Sequence, residues 1–124
     1  MLFSKPNDTT DGSRAEALAA SHLSRHGLVV LERNFRVRGG EIDLICRDGS
    51  TLVFVEVRLR RHAGFGGAAA SITATKRQRL MTAARHYLGR APDTPCRFDC
   101  VLLSDLDERR LEWIRDAFSA DDCA

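Results

Sequence analysis

Residues 38–60 read RGGEIDLICRDGSTLVFVEVRLR and set three carboxylates, Glu41, Asp43 and Glu56, into runs of apolar, β-favouring residues. Such placements are costly unless hydrogen bonds, a counter-charge or a cation compensate them. The runs 41–47 and 51–59 flank Asp48-Gly49, a strong hairpin signal, so the expected element is a β-hairpin. With a two- or four-residue loop at that dipeptide, Glu41 stands opposite Glu56 and Asp43 opposite Phe54. Alternation then places Glu41, Asp43, Glu56 and Arg58 on one face with Ile45, Leu52 and Phe54. Ile42, Leu44, Cys46, Val53, Val55, Val57 and Leu59 take the other face as core. Like charges opposed across a ladder destabilise it, and a bound cation removes that cost. Clustered oxygen donors beside a base suit a hard ion, Mg2+ or Mn2+. An odd-length loop would split Asp43 and Glu56 between the two faces.

GEIDLI followed by VFVEVR, an Asp and a Glu-x-(Lys/Arg) facing each other across a hairpin, resembles the PD-(D/E)xK restriction-endonuclease-like superfamily. Within it the sequence is similar to the YraN family of predicted endonucleases, which resembles archaeal Holliday-junction resolvases. The likeness runs from Arg14 to about Phe118 and includes GGAAAS, Lys76-x-x-Arg79-Leu80, Arg97-Phe98-Asp99 and Glu112-Trp113-Ile114. A bare D…ExK is a weak signal; this ordered set is a strong one. The resemblance implies hydrolysis of phosphodiester bonds with Mg2+ or Mn2+ held by Asp43 and Glu56, helped by Glu16 and Glu41. DNA is favoured over RNA as the nucleic-acid partner, and both the choice between them and that between branched and linear substrates stay open. Arg58 stands where the superfamily usually has lysine; it keeps the positive charge but does not readily deprotonate, which suits charge stabilisation better than general-base work. Two alternatives stay open. One is a nucleic-acid-binding protein of the same fold that no longer cleaves, and the other is a protein-interaction scaffold.

The net charge of +2 hides a segregation. Residues 1–56 carry seven Lys/Arg against eight Asp/Glu, residues 57–97 carry nine against one, and residues 98–124 carry three against eight. A basic middle directly after the carboxylate strand is where a nucleic-acid backbone needs it, and a solvated helix face is the competing explanation. Arg60, Arg61, Arg77, Arg79 and Arg85 are the candidate phosphate contacts. The acidic last third could also meet the basic middle of a second copy in a homodimer. The 44% hydrophobic and 29% charged content is that of an ordinary globular protein. No apolar run reaches the ~20 residues of a membrane span, and the opening MLFSKPNDTTDG lacks a signal-peptide core, so a cytoplasmic location with no membrane partner is expected. Cys46, Cys96, Cys100 and Cys123 have no zinc or redox spacing and read as small apolar residues.

The elements that position the acids follow from pattern. Residues 1–12 read as a disordered tail, 13–118 as a single nuclease-like domain and 119–124 as a frayed tail. Ser13 opens a helix that Gly27 closes. Glu16 shares the inner face of that helix with Ala19, Ala20 and Leu23, although Ser13-x-x-Glu16 is also a capping box that would occupy it. The superfamily resemblance, which implies a first-helix Glu beside the metal, favours a site role. His22 and His26 read as surface residues without a function. LVVLERNFRV is the first strand, Gly39-Gly40 turns into the carboxylate strand, and RRHAGFGGAAA is a loop beside the site. Thr73 or Thr75 caps a second helix ending at Gly89, with Leu80, Ala84, Tyr87 and Leu88 inward and Met81 beside them. Lys76 lies at the edge of that stripe, either as a substitute for the strand lysine or as a snorkelling edge residue. RFDCVLL makes the second helix a crossover between strands, Asp99 either sits near the site or, as the favoured reading, pairs with Arg97, and LEWIRDAF is a final strand or helix anchored by Trp113. The expected architecture is α/β with a restriction-endonuclease-like core, order α-β-β-β-α-β, and a mixed sheet flanked by helices.

Overall fold

A computed structural model describes residues 10–59 and 73–119. A helix α1 (Asp11–Arg25) leads into the meander β1 (Val29–Val37), β2 (Gly40–Asp48) and β3 (Thr51–Leu59). Helix α2 (Ala74–Leu88) then crosses to β4 (Cys96–Leu103), and a 3-10 turn at Glu108–Arg110 leads to β5 (Leu111–Phe118). The five strands form one sheet in the order β1-β2-β3-β4-β5. Neighbours are antiparallel except β3 and β4, which run parallel. A parallel pair needs a crossover long enough for a helix, and α2 supplies it as expected. The final segment is a strand.

Both helices end where backbone chemistry tells them to. The Thr10 hydroxyl accepts the Ser13 N–H at 3.0 Å, so α1 begins two residues before Ser13. Thr10 is therefore the cap, and the capping box proposed for Ser13 and Glu16 does not exist; Glu16 is free for other work. At the other end Gly27, with φ of +97°, lets the Leu28 N–H reach the Leu23 carbonyl at 3.1 Å and its own N–H reach Ser24 at 3.2 Å. That is the paired bonding of a Schellman motif. Thr73 caps α2 by accepting the Lys76 N–H at 3.2 Å.

The sheet is covered on both faces. α1 places Ala15, Ala19, Ala20 and Leu23 on Leu44, Cys46, Val53, Val55, Val101 and Leu103. α2 places Leu80, Ala83 and Ala84 on Ile42, Ile45, Phe54, Phe98 and Phe118. Ile42 was expected beside Leu44 and packs on the α2 side instead, so alternation breaks between Ile42 and Leu44. The β2–β3 ladder ends at the pair Leu44 and Val55, which frees the backbone at Asp43 from a strict pleat. Gly40 lets β2 press against α2, because a Cβ there would stand 2.8 Å from the Ala83 nitrogen and closer still to the Arg79 carbonyl.

The far edge is fastened by polar contacts. Asp99 is fully buried on β4. Its carboxylate accepts from Arg97 Nε at 3.0 and 3.2 Å, from Trp113 Nε1 at 2.9 Å and from the Asp116 N–H at 2.9 Å. Arg97 also donates to Asp48 at the β2–β3 turn, at 3.0 Å, so one ion pair joins three strands. His22 and His26 stack at 4.2 Å and both meet the Trp113 ring edge-on. Arg25 pairs with Glu108, and His22 Nδ1 lies 3.2 Å from the same carboxylate. These histidines therefore pack the α1 terminus onto β5; they are not bare surface residues. Cys46, Cys96 and Cys100 are free thiols, and Cys46 and Cys100 are buried.

Candidate active site

The hairpin turns at Gly49-Ser50, with Asp48 paired to Thr51 and Ile45 to Phe54. Gly49 has φ of +62°, the left-handed start of a type II′ turn. The expected register is thus corrected by two residues. Parity is unchanged within the ladder, but the opposed pair is different. One step beyond Leu44 and Val55, Asp43 meets Glu56, whereas Glu41 lies outside the pair.

Asp43 and Glu56 are held where charge is expensive. Glu56 is buried. Asp43 Oδ2 accepts the Val57 N–H at 2.8 Å, so a side chain takes up a β3 backbone donor just past the end of the ladder. Burial, reinforced by the adjacent Glu56 charge, pushes the Asp43 carboxyl up to about 8. The Val57 N–H works against that rise; Glu16 and a hydrogen bond shared with Glu56 add to it. Desolvation and the neighbouring like charge both favour the protonated form of such a carboxyl.

Cations stand on one acid of the pair. Lys76 Nζ is 3.3 Å from Glu56 Oε2, and Arg58 reaches the same oxygen only at 3.6 Å. Lys76 comes from the first turn of α2 and takes the near position, while Arg58 sits on the strand with its Nε buried and unpaired among the described residues. Glu16, half-buried on α1, is raised by desolvation and held back by a hydrogen bond to Asn34 and by Arg36 and Arg33. Each feels the Glu56 charge or contributes to that of Asp43, so the three acids share one electrostatic environment.

The remaining expected residues lie elsewhere. Glu41 forms an ion pair with Arg79 at 3.1 Å, both about half-exposed, which takes Glu41 out of the acid group and occupies one expected phosphate contact. Arg77 is partly buried and Arg85 exposed on α2. Arg60 and Arg61, with the loop beside them, fall outside the described residues. Pattern reading passed over Arg33, Asn34 and Arg36 on β1. The available signal was Asn34 itself, a poor strand former in the middle of a β-rich run.

Among the described residues no three His, Cys, Asp or Glu side chains converge into a ready-made metal cage. The donor set is a close carboxylate pair with a third acid nearby. Mg2+ keeps several waters and uses one or two carboxylates plus substrate phosphates, so the donor chemistry suits it. No helix among the described residues is long and apolar enough to cross a membrane.

A mixed sheet between two helices, with an acid pair across its central hairpin, defines an α/β domain with a restriction-endonuclease-like core. The chain belongs to the uncharacterised protein family UPF0102, the YraN family, whose sequence profile matches residues 15–103. It is 65% identical over 120 residues to a UPF0102 protein of Dechloromonas aromatica, covering 95% of this chain and 98% of that one. It is 60% identical over 109 residues to a UPF0102 protein of Methylobacillus flagellatus, covering 88% and 96%. A UPF0102 protein of Cupriavidus taiwanensis is 54% identical over 122 residues, covering 94% and 88%.

Proposed function

We propose that this protein is a divalent-metal-dependent endonuclease that hydrolyses phosphodiester bonds in DNA. The observation that carries this reading is the opposed pair Asp43 and Glu56, pressed together in partly apolar surroundings where burial and the neighbouring charge raise the Asp43 carboxyl. Evolution has cheaper ways to build a strand, and clustered groups with displaced pKa values mark sites of chemistry more often than they mark scaffolding.

Asp43 and Glu56 would hold Mg2+ or Mn2+, with Glu16 alongside. Bound there, the ion supplies Lewis acidity, lowering the pKa of an attacking water and neutralising the leaving oxygen. The chain's own groups do the rest. The Val57 N–H fixes the Asp43 carboxylate in place. Lys76 Nζ holds Glu56 and is close enough to share its charge with a phosphate entering the site. Arg58 Nε, a buried donor with no acceptor among the described residues, gains one when a phosphate oxygen arrives. The exposed arginines of α2 then attract the flanking backbone. The resemblance to junction resolvases makes branched DNA the first substrate to try.

The test is cleavage of linear, flapped and four-way-junction DNA by the full chain with Mg2+ or Mn2+, beside an RNA control. Cutting that requires the ion and disappears in Asp43→Asn supports the proposal. Intact substrates in every lane, with both ions present, overturn it. Arg58 in the place of lysine favours one second reading, binding without cleavage; salt-dependent DNA binding in the same uncut lanes would select it.

A further inference from the structure

Glu56 brings a carboxylate into the sheet with only 4% of its surface exposed, and two cations meet it on a single oxygen. Lys76 Nζ stands 3.3 Å from Oε2, and Arg58 Nη1 stands 3.6 Å from the same atom. The two differ in how they are tied there. Arg58 lies on β3 two residues beyond Glu56, with its Nε buried. Lys76 belongs to another element. Its backbone is fixed in the first turn of α2, where its N–H donates to the Thr73 hydroxyl at 3.2 Å. Its side chain crosses from there to β3 with 36% of its surface open to solvent. Lysine carries a compact charge on a flexible four-carbon stem, whereas arginine carries a rigid planar fork. Of the 19 basic residues only Lys5 and Lys76 are lysine. The one lysine among the described residues therefore stands on the acid pair.

We propose that Lys76 is a stand-in cation: it neutralises Glu56 in the metal-free protein, yields the carboxylate when a divalent ion enters, and is thereby released toward the incoming phosphate. This deepens the metal-dependent reading and rests on it. A buried carboxylate stripped of its partner destabilises the fold, so an empty site needs a cation of its own. A hard divalent ion is drawn to the same oxygens. Two cations on one buried carboxylate repel each other with little screening, and the half-open side chain of Lys76 has solvent to move into.

A lysine serving only to hold α2 on the sheet has no such requirement, and Leu80, Ala83 and Ala84 already supply that packing. Exchange also gives the experiment its sign. By reciprocity, whatever the ion takes from the hold of Lys76 on Glu56, Lys76 takes from the affinity for the ion. Removing a stand-in must tighten metal binding, whereas removing a group that merely supports the site must weaken it or leave it alone.

The experiment measures Mn2+ binding to the full chain without nucleic acid, by calorimetry at pH 8, where protons compete less with the ion. Lys76→Ala should melt below wild type when metal-free, yet bind Mn2+ about tenfold more tightly. Lys76→Gln, which keeps most of the stem, should do the same, and Lys76→Arg, which keeps the charge, should stay within a few-fold of wild type. A second readout follows the amine itself. Acetylation of Lys76, scored by mass spectrometry against Lys5 as internal reference, should quicken several-fold when Mn2+ is bound. Equal or weaker Mn2+ binding in Lys76→Ala and Lys76→Gln overturns the proposal, as does an acetylation ratio that Mn2+ leaves unchanged. If both neutral variants fail to fold, the ion pair serves the architecture and the proposal also falls. Mn2+ binding that Asp43→Asn weakens and Lys76→Ala leaves alone rejects only the exchange. Absence of Mn2+ binding in wild type and in every Lys76 variant rejects the exchange together with the metal site.

Discussion

Asp99 and Asp43 lie in the same sheet and are treated in opposite ways. Asp99 on β4 is fully buried and amply partnered, with a guanidinium, an indole N–H and a backbone N–H on its two oxygens. Asp43 on β2 is less deeply buried, yet it has one backbone donor and faces two other acids. A carboxylate kept for architecture is given positive partners, since a buried charge without them destabilises the fold. A carboxylate left short of partners beside like charges is poised for something that arrives from outside. Under the proposed function this difference separates scaffold from site.

The comparison is broken most directly by activity. Asp43→Asn and Glu56→Gln should each lower ion-dependent cleavage by about a thousandfold, equivalent to about 4 kcal/mol of transition-state stabilisation. Asp99→Asn, assayed well below its melting temperature, should stay within a few-fold of wild type. Comparable losses in all three would mean that the Asp99 network also serves the chemistry.

Stability should respond the other way. Asp99→Asn withdraws the charge that Arg97 depends on and turns an amide toward donors, so a loss of about 3 kcal/mol is expected. Thermal melts should show this as a fall of about 10 °C. Asp43→Asn, by contrast, should raise the melting temperature of the metal-free protein at pH 8. The folded Asp43 carboxyl titrates near 8 against an ordinary value of 3.8. The folded state thus binds the extra proton, and wild-type stability from this group is full below the ordinary value and lost as pH rises through about 8. The advantage of Asp43→Asn should therefore shrink toward zero at pH 4. An advantage independent of pH would show that desolvation and repulsion are not its cause.

Smaller effects sharpen the picture around the pair. Lys76→Ala should reduce turnover about tenfold while leaving DNA affinity nearly intact, the pattern of a contact made chiefly in the transition state. Equal losses in both would make Lys76 a simple phosphate anchor. On the outer face of α2, Arg85→Ala should reduce the slope of log affinity against log salt by about 0.9 for duplex DNA. Arg79→Ala should change it less, because Arg79 already neutralises Glu41. The reverse ranking would show that the Arg79 and Glu41 pair opens when DNA binds.

Local chemistry was legible in the chain itself. Asp-Gly marked the hairpin; Gly27, Gly89 and Thr73 marked helix ends; and the spacing of Arg97 and Asp99 on one strand announced their pairing. Each depends on neighbours within a few residues, where covalent geometry and backbone hydrogen bonding dominate. The tertiary structure decided the rest. Turning at Gly49-Ser50 rather than Asp48-Gly49 preserves parity, and both dipeptides are hairpin signals, yet the choice determines whether Glu41 or Asp43 opposes Glu56. Ile42 left its expected face because α2 approaches β2 at Gly40, a contact between segments some forty positions apart. The union of Glu16, Asn34, Asp43, Glu56 and Lys76 likewise draws on two helices and three strands. Pattern fixes which way a side chain points within its own element. Only packing the elements together fixes what it meets, because that depends on close-packed shape and on electrostatics acting through space.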